Sequence, residues 1–242
     1  MYLKIDPFGV QIYGKSLGDA WLSLVAAVIK HGNICYDEKR KRIALQNVRI
    51  QINKHSTSDK LIDRLGDKKN LEEIINLTFK DRKMRDCDII PSFKIGAKSY
   101  YQRIKEGQMD EFVIKRLCLI PESKKAVMVF PTWQDYKAVL KNPWNDYLPC
   151  LVALQFRLIK AKGCWKMNTV FFCRSIDSFQ KFHGNLIAIS MLGHKIMKSL
   201  RKKLKKKIIM NSMDGFITDA HIYGENIKAA KKLYKKANSI IW

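Results

Sequence analysis

Two apolar runs on either side of a tight turn constrain this chain most. Leu151 to Ile159 and Trp165 to Cys173 each read as a strand, and Lys162-Gly163 lies between them as a turn. The segment 151–173 is therefore predicted to be one long hairpin. A hairpin alone is marginal in water, so further strands and a packed layer must cover its apolar face.

The rest of the chain offers both. Residues 16–30 read as a helix: Ser16 can cap it, Trp21, Leu24, Val25 and Val28 fall at helical spacing, and Gly32 ends it. Asp37 to Arg42 is a charged turn, and Ile43 to Ile52 a strand with Val48, Ile50 and Ile52 alternating. Asn70 to Phe79 is a short helix, and Gly107 to Leu117 another with Asp110 in its first turn. Ala126 to Phe130 is a buried-strand run closed by Pro131. A helix of about 15 residues is expected from Leu186, and a short strand at Asp219 to Tyr223. Strands and helices mix without a regular βαβ period. The expected fold is α+β, one large mixed sheet with helices packed against it, in a single domain spanning 1–242. No internal repeat is present, and the only low-complexity segment is Arg201 to Lys207.

With 242 residues and 47% hydrophobic content the chain can build a full core, which excludes disorder as the default. The N-terminus lacks the basic-then-apolar layout of a signal peptide. The longest apolar stretch, Trp21 to Ile29, is about half a membrane span and contains Ser23, so it reads as a buried helix. The expected location is the cytoplasm, with no membrane partner. Six cysteines show no Cys-x-x-Cys spacing, so no metal site is expected and a functional cysteine must be argued individually. The net charge of +24 points to anions. Nucleic acid, a phosphorylated small molecule or a polyanionic cofactor would each fit, and so would a lysine-rich surface that is merely solvated.

Cys150, preceded by Pro149 at the start of a strand, can supply a nucleophile if cations stabilise its thiolate. Arg174 and Ser175 follow the returning strand of the hairpin. A guanidinium fork plus a hydroxyl is a natural phosphate grip, and Arg174 on the neighbouring strand can lie near Cys150. Asp177 is close by in sequence. Asn185 begins a predicted helix, where it is either an N-cap or an amide that reads a pyrimidine edge with one donor and one acceptor. His221 and Tyr223 alternate on a strand and so share a face, where both can bond a sugar hydroxyl.

The ordered set Pro149-Cys150, Gln155-Phe156, Arg174-Ser175-x-Asp177, Asn185 and Asp219-Ala220-His221-Ile222-Tyr223 resembles the thymidylate synthase superfamily over roughly residues 95–230. Ser99 to Ile104, Gln108-Met109-Asp110 and Pro121 to Val127 are similar to further family segments. The short length and the Pro-Cys-Leu-Val start resemble the compact archaeal-type and nucleotide-hydroxymethylase branches. The resemblance implies a thymidylate-synthase-like fold and transfer of a one-carbon unit from 5,10-methylenetetrahydrofolate to C5 of a pyrimidine nucleoside monophosphate. Cys150 would add at C6, Arg174 and Ser175 would hold the phosphate, and Asn185 would read the base. His221 and Tyr223 would hold the sugar, Gln155 would order the site, and Asp177 would face the folate. It also implies a homodimer whose paired cations reach the partner's phosphate.

The departures decide which reaction to expect. The family's arginine pair is Lys124-Lys125 here, which keeps charge and loses the bidentate fork. Residue 151 is Leu, where housekeeping members carry His. No Trp lies between Trp21 and Trp133, where those members have one that shields the methylene intermediate from water. Glu73, or its neighbour Glu72, is the candidate for the catalytic Glu, and Arg40 or Arg42 for a remote phosphate arginine. The C-terminal Ser239-Ile240-Ile241-Trp242 is expected to close over the site, as the resemblance implies. The missing Trp and the lysine pair favour hydroxymethylation of CMP or dCMP; Asn185 favours methylation of dUMP. A non-catalytic nucleic-acid or phosphate binder on the same fold is the alternative class, without a recognised nucleic-acid module or aromatic–basic interleaving to support it.

Overall fold

A computed structural model describes residues 2–6, 9–37, 39–53, 55–80, 98–143 and 147–241. Cys87 and Trp242 lie outside them. Among the described residues the strands are β1 (Tyr2–Asp6), β2 (Gly9–Gly14), β3 (Asn33–Asp37), β4 (Arg40–Ile52), β5 (Val127–Val129), β6 (Leu151–Ala161), β7 (Cys164–Cys173), β8 (Ile176–Asp177) and β9 (Ile208–Tyr223). The helices are α1 (Leu17–His31), α2 (Lys60–Leu65), α3 (Lys68–Phe79), α4 (Tyr100–Glu106), α5 (Met109–Leu119), α6 (Trp133–Lys141), α7 (Phe182–Leu204) and α8 (Ile227–Ile241).

The strands form one mixed sheet in the order β1-β2-β4-β9-β7-β6-β5, with β3 pairing β4 and β8 pairing β9. β2 runs parallel to β4, and β7 and β8 run parallel to β9; the other pairs are antiparallel. The fold is α+β, as the mixed pattern predicts. The hairpin is β6–β7, turned by Lys162-Gly163 with Gly163 at φ +72.

One face of the sheet is the core. Register aligns Ile12, Ile50, Gly215, Phe171 and Leu154 in a continuous row across five strands, followed by Met128 on β5. α1 and α7 pack with this core. Gly215 is required in that row: a Cβ there would sit 2.0 Å from the Phe171 ring, which fills the space instead. Phe171 packs in turn near Phe182 of α7, with ring centroids 6.3 Å apart. The opposite face carries Phe172 stacked on Phe216 at 6.0 Å, flanked by exposed Val129 and Ile159.

Helix α1 keeps the expected limits, with the Ser16 hydroxyl accepting from Asp19 N–H and Gly32 at the C-cap. Three expectations need correction. The long helix starts at Phe182, not Leu186, and has 23 residues. Gly184 lies inside the helix, and Ile74 of α3 packs where its Cβ would be, 2.5 Å away. Leu200 and Leu204 extend the apolar stripe, so the helix takes in the first half of the lysine-rich run. The strand at Asp219–Tyr223 is the end of the 16-residue β9. The charged turn is shorter than expected, because Asp37 and Arg40 already pair across β3 and β4. No helix among the described residues is long and apolar enough to cross a membrane.

Gly215→Ala should lower unfolding free energy by about 1–3 kcal/mol, because Phe171 must leave its site. Urea denaturation of the two proteins measures it. Loss of less than ~0.5 kcal/mol would show that Phe171 relaxes freely.

Candidate functional site

Cys150 lies just before β6, at the edge of the helix-covered face, and is half-buried. Its neighbourhood is built by Arg174, at the end of β7. The Arg174 backbone N–H donates to the Cys150 carbonyl at 3.0 Å. Its Nε donates to the Pro149 carbonyl at 3.1 Å and its Nη2 to the Leu148 carbonyl at 2.6 Å. Its Nη1 donates to Ser175 Oγ at 3.3 Å, and Ser175 Oγ donates to Cys150 Sγ at 3.6 Å. Thr218 Oγ1 donates to the Arg174 carbonyl and ties the arrangement to β9. Among the described residues these bonds use three of the five guanidinium N–H donors. A hydroxyl donor on sulfur with a guanidinium fixed behind the same loop suits a nucleophilic thiolate.

A bulge follows the cysteine. Leu151 pairs with Cys173 but Ala153 with Phe172, so Val152 is an extra residue that bends β6 beside the site. Cys173 opposite is chemically the wrong thiol: burial pushes its pKa far up. The two cysteines of this corner are thereby distinguished by environment.

The remaining expected residues reach this corner by different elements. Asp177 and His221 are backbone partners in the β8–β9 pair. Asp177 Oδ1 accepts from the N–H groups of Phe179 and Gln180, both at 2.9 Å, so it shapes the turn into α7. His221 Nδ1 is 3.0 Å from Asp219 Oδ1, and its ring meets Tyr223 at 4.9 Å, so the two do share a face. Arg42 bonds Asp219, and Arg40 lies over the Tyr223 ring at 3.8 Å from its centroid. Burial alone would raise the Asp219 carboxyl, but bonds from His221 and Arg42 hold it below the usual range. Burial pushes the Tyr223 phenol up to about 12; Arg40 opposes the shift, while the charges of Asp177 and Cys150 add to it.

Asn185 is not an N-cap. It is the fourth residue of α7, its N–H donating to the Lys181 carbonyl. Its side chain is left for other work. It lines a void of about 10 Å³ together with Tyr100, Leu151 and Leu154. Glu73 is half-buried on α3, adjacent to Ile74, which packs on Gly184; its turn therefore abuts the turn bearing Asn185. Gln155, Lys124 and Lys125 do not join Cys150 within this chain. Gln155 Nε2 donates to the Lys124 carbonyl at 2.7 Å, and the exposed Lys124 and Lys125 precede β5 at the sheet edge.

Two tyrosines to which the sequence assigned no role complete the corner. Tyr100 Oη accepts from Leu151 N–H at 3.1 Å and is hydrogen-bonded to Tyr147. Burial raises both phenols strongly, and the charge of Cys150 adds to each. Tyr100 is placed by Arg103 on its own helix. That guanidinium, 3% exposed, forks onto both Asp135 oxygens at 2.7 Å and donates to the Lys98 and Phe130 carbonyls.

In comparison with known proteins, the chain matches no protein-family model, and no curated protein is significantly similar to it. Among the described residues no cluster of three or more His, Cys, Asp or Glu could hold a metal ion.

The supports of the site carry a pH signature. His183, in the first turn of α7 and stacked near Trp21 at 4.8 Å, has its pKa lowered by burial to about 4, with Asp67 only partly offsetting. His55 is lowered to about 4 by burial and then by the charge of His194. Both fold neutral, and the unfolded chain binds their protons near the ordinary 6.5. Stability should therefore fall as pH drops from about 6.5 to 4, by an amount of order 3 kcal/mol for each group at the limit. Thermal unfolding across that range checks it, and His183→Phe should flatten the slope. An unchanged slope in His183→Phe would contradict the assignment.

Proposed function

We propose that this chain is a thymidylate-synthase-like enzyme that transfers a one-carbon unit to C5 of a pyrimidine nucleoside monophosphate through a covalent Cys150 adduct at C6. The observation that carries this reading is the bonded set Arg174–Ser175–Cys150, which joins a nucleophile to a guanidinium on one rigid corner. The guanidinium of Arg174 and the hydroxyl of Ser175 would hold the phosphate. Asn185, free of capping duty, would read the base edge. His221 and Tyr223 would hold the sugar. Glu73 is the candidate acid, and Arg40 and Arg42 order the sugar side through Tyr223 and Asp219.

Attack of Sγ on C6 places electron density on C5, which bonds the incoming carbon. Loss of the C5 proton would release the folate amine and leave an exocyclic methylene on the ring still bound to Cys150. Water, for hydroxymethylation, or a hydride supplied by the folate, for methylation, would add there, and departure of the thiolate from C6 would restore the ring. 5,10-Methylenetetrahydrofolate would supply that carbon as an electrophilic methylene. Asp177 fits the role of holding the folate in one respect: two backbone N–H bonds fix its carboxylate beside His221. Hydroxymethylation of CMP or dCMP, by water capture of the exocyclic methylene, is the favoured outcome because no shielding Trp lies between Trp21 and Trp133. Asn185 favours the second reading, methylation of dUMP, since its amide matches the uracil edge. Two chains would associate through the open sheet face around Phe172 and Phe216, a homodimer in which Lys124 and Lys125 serve the partner's phosphate.

Mass analysis of reactions with CMP, dCMP, UMP and dUMP, each with 5,10-methylenetetrahydrofolate, tests the reading. A gain of one formaldehyde unit is expected with a cytidine nucleotide; a gain of one methylene unit from dUMP alone would establish the second reading. Cys150→Ala should abolish turnover, and Arg174→Lys should lower kcat/KM by roughly 10–100-fold, as expected for lost charge-assisted bonds. Absence of product from all four nucleotides would sink the proposal.

A further inference from the structure

We infer that the end of the sheet farthest from Cys150 is a binding surface for single-stranded nucleic acid. Cys150 stands at the start of β6 and Lys160 near its end, so roughly 30 Å separates this surface from the site at about 3.3 Å per strand residue. The surface is assembled from two places in the chain. The tip of the β6–β7 hairpin contributes exposed Lys160 and Lys162 and half-buried Lys166. The run Arg201–Lys207 contributes six exposed cations. β7 and β9 start side by side, Trp165 pairing with Ile208 and its N–H donating to the Lys207 carbonyl at 2.8 Å.

The lysine run is held in place and is not a loose tail. Leu200 and Leu204 anchor the last turns of α7 in the core. Arg201 Nε donates to the Ile208 carbonyl at 2.6 Å and clips the helix end to β9. Lys205, at φ 52, turns the chain between them. In sequence, Asp177, at the other end of the sheet, is the only acidic residue between Tyr147 and Met213; Asp214 on β9 and Asp59, which lines a cavity with Met210 and Asn211, are carboxylates nearer to the run. A fixed field of like charge attracts a polyanion and makes binding strongly salt-dependent.

Trp165 narrows the partner. The sequence offers no interleaving of aromatic and basic residues, but the fold creates it. The half-buried indole, on the residue that pairs with Lys160 of β6, has the Lys206 ammonium over its ring, 5.2 Å from the centroid. A flat ring inside a lysine field is how single strands are bound without sequence preference: phosphates on cations, a base on the aromatic face. An anionic lipid surface would use the charge and gain nothing from one half-buried indole, and a duplex offers it no unstacked base.

The test uses the full chain with fluorescent oligo-dT and oligo-U of about 20 nucleotides, a duplex of equal length, and phosphatidylserine vesicles. Single strands should bind, with log K falling against log salt at a slope near −3.5 if about five phosphates are engaged. Lys203→Glu/Lys205→Glu/Lys207→Glu should abolish binding. Trp165→Ala should weaken it about 10-fold while Trp165→Tyr retains it. Circular dichroism would establish that the variants fold, and nucleotide turnover, where present, should be unchanged in all of them. Retained binding in the charge-reversed variant, equal affinity for duplex, tighter binding to vesicles, or indifference to Trp165 would each overturn the inference. None of these outcomes depends on Cys150 chemistry.

Discussion

The guanidinium of Arg174 organises the corner around Cys150. It bonds carbonyls at Leu148 and Pro149 and the hydroxyl of Ser175, while its own backbone is bonded to Cys150 and Thr218. The loop before β6 has no ladder of its own there, and a buried unpaired carbonyl is costly. One side chain from β7 satisfies two of those carbonyls and in doing so sets the position of the sulfur. A lysine could supply charge but not a planar fork reaching both carbonyls.

Around that corner the sheet is tuned by close contacts. Gly215 lets Phe171 lie flat on β9, and Gly184 lets Ile74 bring α3 against α7. The second contact brings the turn of Glu73 to the turn of Asn185. The Val152 bulge bends β6 next to Cys150. Arg103, forked onto Asp135, fixes the helix that presents Tyr100 to Leu151. Each device costs local regularity and returns a defined position at the site, where such irregularities concentrate.

Much of this was legible in the chain itself. The hairpin of β6 and β7, the cap and stop of α1 and the adjacency of Cys150 and Arg174 follow from alternation, capping chemistry and strand pairing. The start of α7 did not, because its N-cap, Lys181, makes no side-chain cap, and the packing of Gly184 against Ile74 is a tertiary contact. Tyr100 and Tyr147 were not legible as site residues, since neither carries a spacing that distinguishes it from core. Gln155 reads in sequence as part of the site, yet the structure ties it to Lys124 at the sheet edge.

Sequence by itself determined the class of fold, the placing of Cys150 and Arg174 on facing strands of one hairpin, and the excess of cations. Those depend on residue type and on periods of two and 3.6, which are local properties. Tertiary structure decided which groups meet. It separated Cys150 from Cys173 by burial, freed Asn185 from capping, and stacked Arg40 on Tyr223. It also joined Trp165 to a lysine run some forty residues away. Such encounters are set by sheet order and register, and no short-range pattern encodes them.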